Sequence, residues 1–412
     1  MRKARLQPVL MALCLALSLV PAGAAEDDGW LIPKARDYDA FTDTRGTIAE
    51  DAARLCCEVG LMDGVRAGKF SPKSYLTNAQ IIVISARLHK LLTGGSLDDF
   101  IPVSLTGDKW YTPYAAYLKA EIPDCPVPEW PQDPISYSRQ FCTHGSFTDL
   151  LASVLKDAGV DLPDLNHIED HDISVWLSEA DLTLYNVGIL QGANQYGYSD
   201  SSTHLSRGQA ALMLARVIDP AQRLSFKPET FDLCRDIFGV LPETVLMTVD
   251  GAAVTADEFC KELADGAVTC ALDWQDCTAA WSRAYVRNAC REKFALEILA
   301  NRRNVELSGE TLQECTQKAA KAAGKEGVTE AGWLWSNLYE NWYQAVKDYY
   351  LSEFGMNNAH GVSDEFDAAL AGTVKTLDLK TTAAFDQLNF SAIREKLLAT
   401  GCYSLESEPL FQ

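Results

Sequence analysis

Apolar residues at Val175, Leu177, Ala180, Leu184 and Val187 recur along one helical face. The stripe stops at Gly188, a residue suited to the left-handed conformation just past a helix end. Gly192 and Gly197 keep the next loop turning. Ser206 can then cap a second helix, whose Ala210, Leu212, Met213, Leu214 and Val217 again make an apolar face. The predicted unit is helix, glycine-rich loop, helix, with Asp172 or Ser174 placed to cap the first helix. The unit recurs upstream, where Val59-Gly60-Leu61-Met62-Asp63-Gly64 matches Val187 to Gly192 and Leu76-Thr77-Asn78-Ala79-Gln80 matches Leu205 to Gln209. Gly60 lies 16 positions before Leu76, and Gly188 lies 17 before Leu205. A more worn copy stands between them. Trp110, Tyr114, Ala115, Tyr117 and Leu118 mark its first helix, and Thr143-His144-Gly145-Ser146-Phe147 its motif. Repeats of this size cannot each bury a hydrophobic face, so stacked copies share one core.

Residues 221–243 carry Pro228 and Pro242 without sustained periodicity, which reads as a linker with room for one short helix. Beyond it Val245 to Val249 is a strand candidate, Asp250-Gly251 a hairpin-type turn, and Ala252 to Val254 a return strand. Thr255-Ala256-Asp257-Glu258 has the form of a capping box. Further helices are expected over about 273–303, from a cap at Ser308 to near Gly324, over about 330–354, and from a cap at Ser363. Thr376 to Lys380 is another strand candidate. The fold class expected is mainly α: a helical domain of three repeats, then a second helical domain over 244–400 with a small two-stranded β element.

Charge and chemistry narrow the function. Arg2, Lys3 and Arg5, an apolar run from Val9 to Val20 and then Pro21-Ala22-Gly23-Ala24 read as a secretory leader over 1–24, whose apolar run is too short for a membrane span of about 20 residues. Leu13 before Cys14 argues against a lipoprotein signal, and no other stretch is long and apolar enough to span a bilayer. The formal net charge is −21 at pH 7, and losing the basic leader makes the mature chain more acidic still. Nucleic acid, which needs clustered positive charge, is therefore excluded as a partner. Of the 12 cysteines, losing Cys14 leaves an odd number, so at least one is unpaired unless it bridges two chains. Cys260, Cys270, Cys277, Cys290 and Cys315 contain no Cys-x-x-Cys pair, which makes a zinc ribbon improbable. His167-Ile168-Glu169-Asp170-His171 spaces two imidazoles as zinc proteases do, but Ile168 and Asp170 stand where those motifs need Glu; a solvated loop is the expectation. No catalytic residue, metal site or cofactor is expected.

The unit built from Val187 to Gly192, Tyr196 to Asp200 and Leu205 to Arg216 resembles an S-layer homology repeat. The resemblance covers about 30–220 in three copies, 30–93, 98–160 and 164–220, and three copies are usual in that family. Its second helix opens with Thr-Arg-Ala-Glu or a near variant, and the Arg binds anionic polysaccharide of the cell wall. The resemblance therefore implies a wall-polymer site at Ser206, Arg207 and Gln209, with Thr77 and Asn78 in the first copy, and an anionic secondary cell-wall polysaccharide as partner. Asn78 and His144 hold the Arg position in the other copies, so two of three sites are weakened. The negative field of the chain opposes such a polymer. Only a local basic site such as Arg207 can overcome it, so binding should depend on few residues and on salt.

The string Val249 to Phe259 resembles the start of the SurA and PrsA type of peptide-binding chaperone domain, with its short strand, Asx-Gly turn and capped helix. The long helix, the link Val305-Glu306-Leu307-Ser308 and a further helix continue that likeness over about 245–388. In that family the last strand pairs with the first. The parvulin-type isomerase domain usual there is absent, so the likeness implies peptide binding without catalysis. Trp333, Trp335, Trp342 and Tyr343 are the candidate peptide-binding residues, since aromatics give large contact area at small conformational cost; a larger core that covers them is the competing expectation. Together these readings describe an exported protein of the cell wall or S-layer, held non-covalently by its repeats and carrying a non-catalytic chaperone-like domain for unfolded or exported polypeptides. The alternative is a structural S-layer or surface interaction protein with no chaperone activity.

Overall fold

Most helices of the first half begin where a hydroxyl or carboxylate can meet an unpaired backbone amide. In the computed structural model, which describes residues 30–100, 110–127, 134–199, 201–272, 279–356 and 361–403, these helices are α1 (Glu50–Glu58), α2 (Asn78–Leu92), α3 (Thr112–Glu121), α4 (Pro134–Arg139), α5 (His144–Asp157), α6 (Glu179–Asn186) and α7 (Arg207–Ile218). The expected leader lies outside the described residues. Thr77, Thr143, Ser178 and Ser206 cap α2, α5, α6 and α7 by accepting the amide three residues on. At Thr77 and Ser206 the box is reciprocal, because Gln80 and Gln209 reach back to the cap amide.

Three of these caps converge. The Leu76 amide donates to the Leu205 carbonyl at 2.9 Å, Leu205 to Cys142 at 3.0 Å and Cys142 to Leu76 at 2.9 Å, which closes a ring. Two residues on, Asn78, His144 and Arg207 donate to Gln140, Thr203 and Ser74, so each helix start is pinned to the loop before the next motif, cyclically. Leu76, Cys142 and Leu205 are buried at the centre. The last helix of this half, α7, packs on the first, α1, and closes the circle in space.

Helix α6 starts later than the apolar stripe suggests. Ser178 caps it, whereas Ser174 is buried and accepts the Glu326 amide. Val175 precedes the helix because its carbonyl accepts from Lys325. Residues 221–243, expected as a linker, supply core: Phe231 is buried, and the π-helix Leu233–Phe238 buries Leu233, Cys234, Ile237 and Phe238.

The second half carries a sheet of three strands, not the expected two. Strands β1 (Val245–Val249), β2 (Ala252–Thr255) and β3 (Leu379–Thr381) lie in the order β2-β1-β3, all antiparallel. Asp250 and Gly251 both have positive φ, 48° and 87°, as the tight hairpin requires. Thr376 ends a helix, and β3 pairs Thr248 with Lys380 and Val249 with Leu379. The helices are α8 (Ala256–Leu272), α9 (Ala279–Arg303), α10 (Gly309–Ala322), α11 (Glu330–Phe354), α12 (Asp364–Thr376), α13 (Ala383–Gln387) and α14 (Phe390–Thr400). Thr329 caps α11 and Gly355 ends it; Ser308 and Ser363 cap α10 and α12. The main apolar cluster runs from Ile32 to Tyr403 through both halves. A second, around Leu299, Tyr339, Val346, Tyr350 and Phe366, joins α9, α11 and α12.

Candidate functional site

The five expected wall-site residues gather around the ring of helix starts, and each turns to a partner inside the protein. Arg207 is only 7% exposed. Its Nε donates to the Phe70 carbonyl at 2.8 Å and its Nη2 to the Asp63 carbonyl at 2.6 Å. The guanidinium also lies 4.7 Å from the Phe70 ring centroid. Burial pulls its pKa below the usual value, against Asp63, Cys56 and Asp43, which favour the charge. Arg207 thus braces the loop of the first copy, and Asp43 shapes the same loop by accepting the amides of Phe70 and Ser71. Next to it, a side chain on Gly208 would meet the Pro72 carbonyl at 3.0 Å. Ser206 and Gln209 bond each other. Thr77 does the same with Gln80, and Asn78 is buried with its amide donating to the Tyr137 carbonyl at 3.3 Å.

What the ring leaves open is aromatic. Tyr75, Phe141 and His204 each stand one residue before a ring residue, and their centroids lie 5.5, 5.4 and 5.5 Å apart. Tyr75 is 49% and Phe141 50% exposed. Comparing the three motifs position by position would have revealed this triad, because an aromatic precedes the buried residue in all three copies.

The groove between α5 and α6, about 630 Å³, is lined by Asp124, Asp149, Asp161 and Glu179 with Lys156. Its sign is wrong for a polyanion. Burial, with the nearby Asp181, raises the pKa of Asp149.

On α11 the four candidate aromatics do not share one open face. Trp335 is buried against Phe259 and Phe294, with the Lys293 ammonium 4.1 Å over its ring. Trp333 is half-buried beneath Lys261, and its indole nitrogen is buried without a hydrogen-bond partner. Tyr343 packs on Phe366, and both it and Trp342 flank the second cluster. Under this helix lies a buried acid, Glu262, with one carboxylate oxygen unpartnered. Burial pushes its pKa up to about 7, with Asp265 adding to the rise and Lys261 opposing it. The neighbouring Asp265 accepts the Tyr403 phenol at 2.6 Å.

His167 and His171 are exposed and pair with Asp164, Glu169 and Asp172 beside them. Among the described residues no group of His, Cys, Asp and Glu is placed to hold a metal ion, and no helix is long and apolar enough to cross a membrane. Compared with known proteins, the chain matches no family model and no curated protein.

Proposed function

We propose that this chain is an exported surface protein whose first half attaches it non-covalently to cell-wall polysaccharide as a three-copy module of the S-layer homology kind, and whose second half is a rigidly mounted interaction module. The observation that carries the first part is the cyclic hydrogen bonding of Leu76, Cys142 and Leu205, which binds three like motifs into one body. The buried Arg207 and the acidic groove favour attachment by shape and neutral contacts over capture of a polyanion by surface arginines. For the second half, the burial of Trp335 and the packing of Tyr343 on Phe366 favour a display role over peptide capture. Chaperone-like binding is the second reading, supported by the pairing of β1 with β3 that the SurA and PrsA likeness leads one to expect. The test is pelleting of the mature chain with purified cell wall, intact and after extraction of its secondary polymers. The chain should pellet with the intact wall and less with the extracted one; a chain that stays in solution with both removes the attachment reading.

A further inference from the structure

A cleft of about 570 Å³ lies between the two halves, within the size range of small-ligand sites. One wall is Trp176 with Tyr198, Ser199 and Ser201; the other is the end of α14, with Leu398 and Gly401. Trp176 is 54% and Leu398 49% exposed. The backbone that leads into Trp176 is tied to Lys325. Lys325, 2% exposed, donates to the carbonyls of Asp170, Ile173 and Val175 and to the Asp170 carboxylate, and its ammonium lies 5.4 Å from the Trp176 ring centroid. Lys325 thus pins the backbone that carries Trp176 and places a cation beside the ring, while the exposed indole lines the cleft.

An aromatic face with negative charge density attracts the polarised C–H bonds of a sugar ring, and hydroxyl side chains beside it offer donors and acceptors for sugar hydroxyls. The one charged residue that lines the cleft, among the described residues, is Glu326. Its carboxylate repels anions and suits neutral sugars or amino sugars. We propose that this cleft binds a short saccharide segment without negative charge, one ring stacked on Trp176 and its hydroxyls bonded to Ser199 and Ser201. The proposal rests on the wall-attachment reading only for the source of the saccharide.

The experiment is calorimetric titration of the full mature chain with tetramers of N-acetylglucosamine, glucosamine and galacturonate, and with a reduced, unfolded polypeptide, alongside wall pelleting. At least one of the first two tetramers should bind. Trp176→Leu, which keeps bulk over Lys325 but removes the ring, should weaken it about tenfold, the upper worth of one aromatic contact. Leu398→Asp, at an exposed position on the opposite wall, should weaken it too. The proposal is overturned if neither tetramer binds, if galacturonate binds as well, if both variants bind like the wild type, or if the polypeptide alone competes for the cleft. Pelleting separates this from the attachment reading. Wall pelleting without tetramer binding sinks the cleft alone, and tetramer binding without pelleting sinks the attachment alone.

Discussion

Arg207 holds together backbone that is far from it in sequence. Its Nε and Nη2 hold the carbonyls of Phe70 and Asp63, both in a loop 137 and 144 positions away in sequence. Arg207→Ala leaves those carbonyls without a donor and removes the ring contact, so we expect a loss of about 2–5 kcal/mol in urea unfolding. Asn78→Ala, with one longer bond, should lose about 1 kcal/mol. An Arg207→Ala protein with wild-type stability that no longer pellets with wall would instead make Arg207 a polymer ligand. Glu262 gives a second prediction at this scale. Its pKa of about 7 exceeds the ordinary 4.5, so the folded chain keeps a proton that the unfolded chain loses. Stability should therefore fall as pH rises from about 4.5 to 7, by a few kcal/mol, and level off above. Glu262→Gln should flatten that slope and be the more stable protein at pH 8. Urea midpoints of both proteins at pH 5 and pH 8 are the check; parallel pH profiles would refute it.

At the scale of elements, what was legible is what is local. Ser206, Ser308 and Ser363 announce helix starts within a residue of themselves, and α7, α10 and α12 begin where those signals put them. The start of α6 was not legible, since the carbonyls that delay it answer to Lys325, 150 positions or more away. The third strand was legible as a pairing but not in position, because α12 runs on to Thr376 before Leu379 can reach β1. Of the candidate site, the motif positions and the local pairs Ser206 with Gln209 and Thr77 with Gln80 could be read, but the inward orientation of Arg207 and Asn78 is set by loops of another copy and has no local signature. The sheet makes its own prediction. Removing the chain after Gly372 takes away β3, α13 and α14, and α14 packs on both α8 and the π-helix. Hydrogen exchange in α8 should then rise toward that of an unprotected helix; unchanged protection would show that α8 does not depend on this closure.

Across the whole molecule, the two halves are joined by more than their covalent connection. The Lys325 ammonium, inserted among three carbonyls and a carboxylate of the first half, fixes the second half against it. Lys325→Met leaves the buried carbonyls of Ile173 and Val175 without that donor and should cost about 2–5 kcal/mol. In scanning calorimetry the variant should show two separate transitions where the wild type shows one; a single transition at the wild-type temperature would mean that the apolar cluster alone joins the halves.

The ring of Leu76, Cys142 and Leu205 has a further consequence, for how such a chain can change over generations. Its bonds run from backbone amide to backbone carbonyl, groups that every residue except proline offers in full. Side chains at the motifs can therefore drift a long way, as the middle copy has, while the joint persists. The number of motifs has no such freedom. An open stack can gain or lose a unit at either end, but a closed circle has no end: deleting one copy would break two joints at once, and inserting one would open a joint and change the angle at which all must meet. Tolerance to substitution and intolerance to changes in copy number follow from the same three hydrogen bonds.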